Sequence, residues 1–191
     1  MSDTLTSPFR TALGRPSLTK SVLMVIAGSL LLTLSAKVQV PFFPVPMTMQ
    51  VLVVLLIGAA YGPKLAGATL ATYLMQGAVG LPVFAGTPEK GIGLAYMVGP
   101  TGGYLLGFLV AAIAVGWMAE RGWDRGPVRI AVAGLVGLVA IYAIGLAWLG
   151  AVVGWDQPVL TWGLWPFLPA EALKLALMVV IVHLGNSALR R

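Results

Sequence analysis

Glu171 and Lys174 stand three positions apart in FLPAEALKLALMVVIV, residues 167–182, a run that is otherwise almost wholly apolar. A charged side chain at the middle of a membrane span costs about 2.5–3.5 kcal/mol, and less near the span's end, so an acid and a base kept there need a reason. Their spacing puts both on one face of a helix, where they can reach each other or a shared guest. Two readings stand. One is a structural ion pair that neutralises itself; the other is a binding pair completed by a polar ligand. The second is favoured, because a buried pair is weak grounds for stability and intramembrane ionisable groups normally face a cavity.

The elements that must position this pair are membrane spans. The chain is 59% hydrophobic and 9% charged, with a mean hydropathy of +0.94, far from the roughly 25% charged residues of soluble domains. We expect an all-α integral membrane protein with six transmembrane helices and structured extracellular loops. A cytoplasmic N-terminal tail over 1–19 leads into a single six-helix membrane domain over 20–191. Spans are expected near 20–37, 47–61, 64–79, 103–119, 127–149 and 166–187, because apolar runs approaching the length of a helical crossing recur there. Between the second and third, Gly62-Pro63 forces a tight turn, since proline cannot continue a helix and restricts the residue before it. These two short spans should form an antiparallel hairpin. The basic start of the chain resembles a signal peptide but lacks a convincing small-residue cleavage site after the run from Val22 to about Ala36.

Basic residues set the orientation. Arg10, Arg15, Lys20, Lys64, Arg121, Arg125, Arg129, Arg190 and Arg191 fall on one side, Lys37 and Lys90 on the other, with Lys174 inside the last span. The positive-inside rule then places both termini in the cytoplasm and the loops around 37–46, 80–102 and 150–165 outside a plasma (inner) membrane. Trp117 and Trp123 mark the inner interface, and Trp148, Trp155, Trp162 and Trp165 the outer one. The net charge of +6 is therefore a topology signal and an attraction to anionic membrane lipid. It is not a nucleic-acid footprint, because no element carries a basic stripe with interleaved aromatics.

The outer side carries the irregular backbone. Residues 80–104, GLPVFAGTPEKGIGLAYMVGPTGGY, hold seven glycines and three prolines and are too long for a simple connection. Irregular backbone near membrane depth is tolerated where it is buried in protein or lines a cavity. The Pro-rich stretch 37–50 lies on the same side and carries Thr48 and Gln50 into the second span, so the two segments suggest a lid. Phe42, Phe43 and Phe84 fit ligand contact or simple interfacial anchoring equally well.

Other classes find no residues to carry them. With no cysteine there is no disulfide, thiol nucleophile or thiolate metal site. His183, the single histidine, lies near the inner end of the last span, so neither a hydrolase nor a zinc enzyme is expected, nor any cofactor. The glycines of GPTGGY lack the lysine of a phosphate loop. A self-sufficient secondary carrier remains open, since the pair could move protons, although inverted repeats of broken helices are not evident.

LPVFAG at 81–86, GPTGGYLLGF at 99–108, VPFFPVPMTMQ at 40–50 and FLPAEALK at 167–174 together resemble the BioY family, in order and over nearly the whole chain. That family comprises the biotin-specific substrate-binding membrane subunits of energy-coupling-factor (ECF) transporters. The resemblance implies a six-helix subunit that captures biotin from outside and delivers it with a transmembrane coupling protein and two ABC-type ATPases. A subunit for another vitamin would share the fold and differ in the late motif. The implied ligand contacts are Glu171 to a ureido N–H and Lys174 to the ureido oxygen or the tail carboxylate. The family's acid at that position is typically Asp, and Glu171 is one methylene longer. Gln76 is the nearest match to an amide contact at the end of the third helix. Lys90 is a candidate for the tail carboxylate or a solvated loop charge, and Thr101 and Tyr104 line the site or cap the fourth helix. The small-residue pattern for partner packing in the first span has its nearest equivalent in Ser29-xxx-Thr33.

Overall fold

The computed structural model describes residues 17–86 and 92–189. Lys90 and nearly all of the expected tail lie outside the described residues, as do Arg190 and Arg191. Helix α1 spans Leu18–Lys37, two residues earlier than expected. Its start is set by Ser17, whose hydroxyl accepts the Lys20 N–H at 3.3 Å and satisfies one of the helix's unpaired first-turn donors.

The segment after α1 departs from an all-helical reading. Gln39–Val40 (β1) and Met47–Thr48 (β2) form a short antiparallel ribbon, with Gln39 opposite Thr48 and Val40 opposite Met47. The second span was expected to begin at 47, but Met47 and Thr48 belong to the ribbon and helix α2 begins at Gln50. The physical reason is the proline density of VPFFPVP, which removes backbone donors and holds the chain extended until it can turn back.

Helix α2 runs Gln50–Ala78 and is broken at Gly62, whose φ of 73° and ψ of 172° lie outside helical geometry. A side chain rarely adopts that φ, which is why glycine occupies the position. The two arms fold back on each other. Gln50 Nε2 donates to the Tyr73 hydroxyl at 2.6 Å, whereas an unbroken helix would hold those residues about 34 Å apart at 1.5 Å per residue. A short helix, α3 (Leu94–Val98), interrupts the long glycine-rich loop. Helix α4 spans Gly102–Met118 and ends in a π turn over Ala119–Trp123. Helix α5 spans Pro127–Val153, a short α6 spans Val159–Gly163, and α7 spans Leu168–Ala188. Among the described residues, five helical stretches are long and apolar enough to cross a membrane, the doubled-back α2 counting as one of them.

Helix α4 is central, packed between α2 and α5, while α7 lies against α5 and α2, and α1 against α2. Small residues permit the close approach: an added methyl at Gly107 would lie 2.8 Å from the Ile141 backbone, and one at Gly116 would lie 2.6 Å from the Gly62-Pro63 turn. With lipid on the outside, such packing replaces the hydrophobic drive available in water. The outward faces stay apolar, as Leu23, Leu30, Leu34, Leu173 and Leu184 show. Ser29, by contrast, is 1% exposed and bonds to Gln76 of α2, while Thr33 is half-buried and donates to the Ser29 carbonyl within its own helix.

Candidate ligand-binding site

Glu171 lies in the first turn of α7 and Lys174 one turn on, which puts them about 5–9 Å along the helix from Leu168 at 1.5 Å per residue. A carboxylate at that position is also favoured by the helix dipole. The two side chains meet: Lys174 Nζ donates to Glu171 Oε1 at 2.7 Å, and both residues are 3% exposed. The pair is not closed on itself, however. Glu171 Oε2 is buried without a hydrogen-bond partner among the described residues, a state that costs about 1–3 kcal/mol for a buried acceptor and more for a charged one. The Tyr142 phenol faces the same carboxylate.

A hollow of about 190 Å³ adjoins the Lys174 side of the pair, bounded by Val38, Gln39, Val40, Met47, Thr48 and Met49 of the ribbon region and by Ala170, Leu173, Lys174 and Leu177 of α7; Glu171 stands behind Lys174 and does not line it. Gln39, Thr48 and Lys174 are its polar residues; the rest are apolar. An aromatic series stands behind the pair: Phe42 against Phe167 at 5.9 Å, Phe167 against Tyr142 at 6.3 Å, and Tyr142 against Tyr104 at 5.9 Å. This arrangement can hold a compact guest with a hydrogen-bonding head and an apolar body. It offers no nucleophile activated by a base, and no group of three metal-ligating side chains occurs among the described residues.

The sequence profile of the BioY family matches residues 4–191. This chain belongs to the BioY family. It is similar to a protein of Pyrococcus horikoshii named a probable biotin transporter BioY, 38% identical over 86% of this chain and 94% of that protein. A Thermotoga maritima protein named biotin transporter BioY is 37% identical over 79% of this chain and 86% of its own length. Among solved structures, the S-component for biotin from an ECF-type ABC transporter superposes with a TM-score of 0.73, covering 93% of this chain and 95% of that one at 22% identity. At that identity the likeness speaks for the fold.

Within this BioY chain the other sequence candidates take different places. Gln76 accepts a short hydrogen bond from Ser29 Oγ, which ties the second arm of α2 to α1. Thr101 occupies the N-cap position of α4 without capping it; its side chain faces Tyr96, whose phenol burial pushes above its ordinary pKa. Tyr104 is buried and donates to the Gly163 carbonyl at 2.9 Å. None of the three lines the hollow. Phe84 is 5% exposed, stacked on Tyr96 at 5.3 Å and edge-on to Tyr73 at 5.4 Å, so it packs the loop, whereas Phe43 is 80% exposed.

Tyr104→Phe is therefore expected to cost about 1 kcal/mol of stability through the lost hydrogen bond, while the ring contact with Tyr142 persists. Thermal unfolding in detergent reads that loss. Ligand affinity should change less than about threefold, under 1 kcal/mol on the usual scale; a loss beyond about tenfold would mean direct contact.

The sequence pattern puts Thr48 and Gln50 at the start of a span without tying them to the site, uses Lys37 only for orientation, and gives no sign of Tyr73 or Tyr142 near it. The available signal was polar residues inside apolar runs: Gln50 is 3% exposed and Tyr73 fully buried, and a buried polar group needs a partner.

Proposed function

We propose that this protein is the biotin-capturing membrane subunit of an ECF-type uptake transporter. The observation that carries the proposal is the open ion pair: a buried carboxylate oxygen that makes no well-formed hydrogen bond among the described residues, faced by the Tyr142 phenol and paired with a lysine that lines a hollow. Biotin offers what is missing. Its cyclic urea has two N–H donors and one carbonyl acceptor, so Glu171 accepts from a ureido N–H, and Lys174, with protons left after binding Glu171, donates to the ureido oxygen or the tail carboxylate. The thioether ring and valerate chain match the aliphatic walls. At about 190 Å³ the hollow is below the ~300 Å³ usual for small-molecule sites, so the ribbon moves outward to admit the ligand. The names of the similar proteins from Pyrococcus horikoshii and Thermotoga maritima support the choice of biotin.

In the membrane, the two arms of α2 count as separate short spans, giving six in all. Both termini face the cytoplasm, and the ribbon and the 80–104 loop face outward, an orientation supported by the distribution of arginine and lysine. Gln76 and Lys90 act as secondary ligand contacts. A coupling protein and two ATPases drive delivery, because this sequence contains no phosphate loop of its own.

Competition of labelled biotin against biotin, riboflavin and thiamine on the purified chain tests the ligand. We expect displacement by biotin alone; equal displacement by another vitamin would reassign the subunit. Proteoliposomes holding only this chain should bind biotin without concentrating it, and accumulation against a gradient would identify a self-sufficient carrier.

A further inference from the structure

Thr48 borders the hollow, and its hydroxyl is the first member of a chain of hydrogen bonds that leads away from it. Thr48 Oγ1 donates to Gln50 Oε1 at 3.4 Å, Gln50 Nε2 donates to the Tyr73 hydroxyl at 2.6 Å, and that hydroxyl donates to the Val83 carbonyl at 3.1 Å. The bonds all run in one direction, from the pocket wall through both arms of α2 to the LPVFAG segment. Gln50 and Tyr73 are 3% and 0% exposed, so water does not compete along the path. In such a low-dielectric setting, consecutive hydrogen bonds of the same sense polarise and strengthen one another.

The beginning and end of the chain are informative. The Thr48 oxygen accepts the Gln50 backbone N–H at 3.3 Å and keeps a second lone pair, which can take an N–H from a guest in the hollow. Such a contact polarises the Thr48 O–H toward Gln50. At the other end, Val83 precedes Phe84, whose ring packs on Tyr73 and Tyr96. A second tie holds the same segment independently of the pocket: Lys37 Nζ donates to the Phe84 carbonyl at 2.8 Å.

We propose that Thr48, Gln50 and Tyr73 form a relay by which a hydrogen-bond donor in the hollow tightens the outer segment 81–86 over it, making Gln50 and Tyr73 positioning residues for ligand retention. The proposal rests on the biotin reading, with the ureido N–H as the donor. It predicts that retention is controlled from a segment outside the hollow's own walls.

The test is hydrogen exchange of the 81–86 peptide in the full chain in detergent, with and without saturating biotin, alongside the biotin dissociation rate. In the wild type, biotin slows exchange. Tyr73→Phe should raise exchange without ligand, abolish the biotin-dependent slowing, and speed dissociation about tenfold, the ratio corresponding to about 1.4 kcal/mol. Thr48→Val leaves the distal bonds intact, so exchange without ligand should stay as in the wild type while the slowing disappears. Lys37→Met should do the reverse, loosening the segment but keeping the response to biotin. Should Tyr73→Phe fail to fold, the Thr48→Val and Lys37→Met contrast decides the matter. Slowing of wild-type size in Thr48→Val overturns the relay alone. Failure of the wild-type chain to bind biotin overturns the parent reading and the relay with it, and is seen before any variant is compared.

Discussion

Lys174→Met should weaken biotin binding by on the order of 3 kcal/mol, more than a hundredfold in Kd, the range found when one partner of a buried charge pair is truncated. The methionine preserves most of the stem volume, so the loss isolates the ammonium. It removes the donor offered to the ligand and leaves the Glu171 carboxylate, 3% exposed, without the 2.7 Å contact that neutralises it. The same substitution should lower folding stability by about 3–5 kcal/mol, the usual penalty for breaking a buried pair from one side. Glu171→Gln should act similarly through the opposite charge. The two single variants alone cannot separate a binding pair from a structural one, because both lose stability and affinity together. The double variant can. Removing both charges restores electroneutrality, so stability should return toward wild type, while affinity should remain as poor as in the worse single variant. Thermal unfolding and calorimetric titration of the four proteins read the two quantities separately. Affinity that recovers in step with stability would make the pair structural.

The reason this pair was legible in the sequence is the cost that sets it apart: two charges in a run of leucines attract attention without any knowledge of the fold. The reversal at Gly62-Pro63 was legible for a similar local reason, since proline interrupts helical hydrogen bonding and glycine alone tolerates a φ of 73°. What depends on chain reversal was not legible. Gln50 and Tyr73 are bonded across the α2 turn, and neither position's neighbours point to the other. Gln76 has the residue type for a ureido contact, and its carbonyl oxygen is held by Ser29 of α1, a helix whose placement no local pattern specifies. Met47–Met49 reads as the start of an apolar helix because hydropathy does not distinguish a buried strand from a helix over so few residues; pairing of Met47 with Val40 decides it. Biotin itself came from family resemblance, since residue chemistry alone specifies only a guest with donors, an acceptor and an apolar body.

Gly77→Ala should be among the most damaging single methyls that can be added to the outer half of this protein. In a helix interior, replacing glycine by alanine normally gains about 1 kcal/mol. At Gly77 the added carbon would lie 1.9 Å from Phe84 Cζ, with two further ring atoms at 2.2 and 2.6 Å. No rotation within the site resolves that overlap cheaply, because the Phe84 ring is 5% exposed and bounded by Tyr73 on its edge and Tyr96 on its face. The ring must leave, and the 81–86 segment must move with it against the Lys37 and Tyr73 hydrogen bonds. Overpacking of this kind costs about 1–3 kcal/mol, to which the lost loop contacts add, so unfolding in detergent should occur at a clearly lower temperature and biotin should dissociate faster. Gly67→Ala is the control: its nearest neighbours are the flexible Ile113 side-chain atoms at 3.2 and 3.3 Å, which can give way, so stability there should be unchanged or rise by up to about 1 kcal/mol through helix propensity. Phe84→Leu in the Gly77→Ala background should return part of the lost stability, a non-additive recovery expected of residues in direct contact. If Gly77→Ala unfolds like the wild type and retains biotin as long, the Phe84 ring does not hold the segment against α2, and the outer loop owes its position to its two hydrogen-bonded ties.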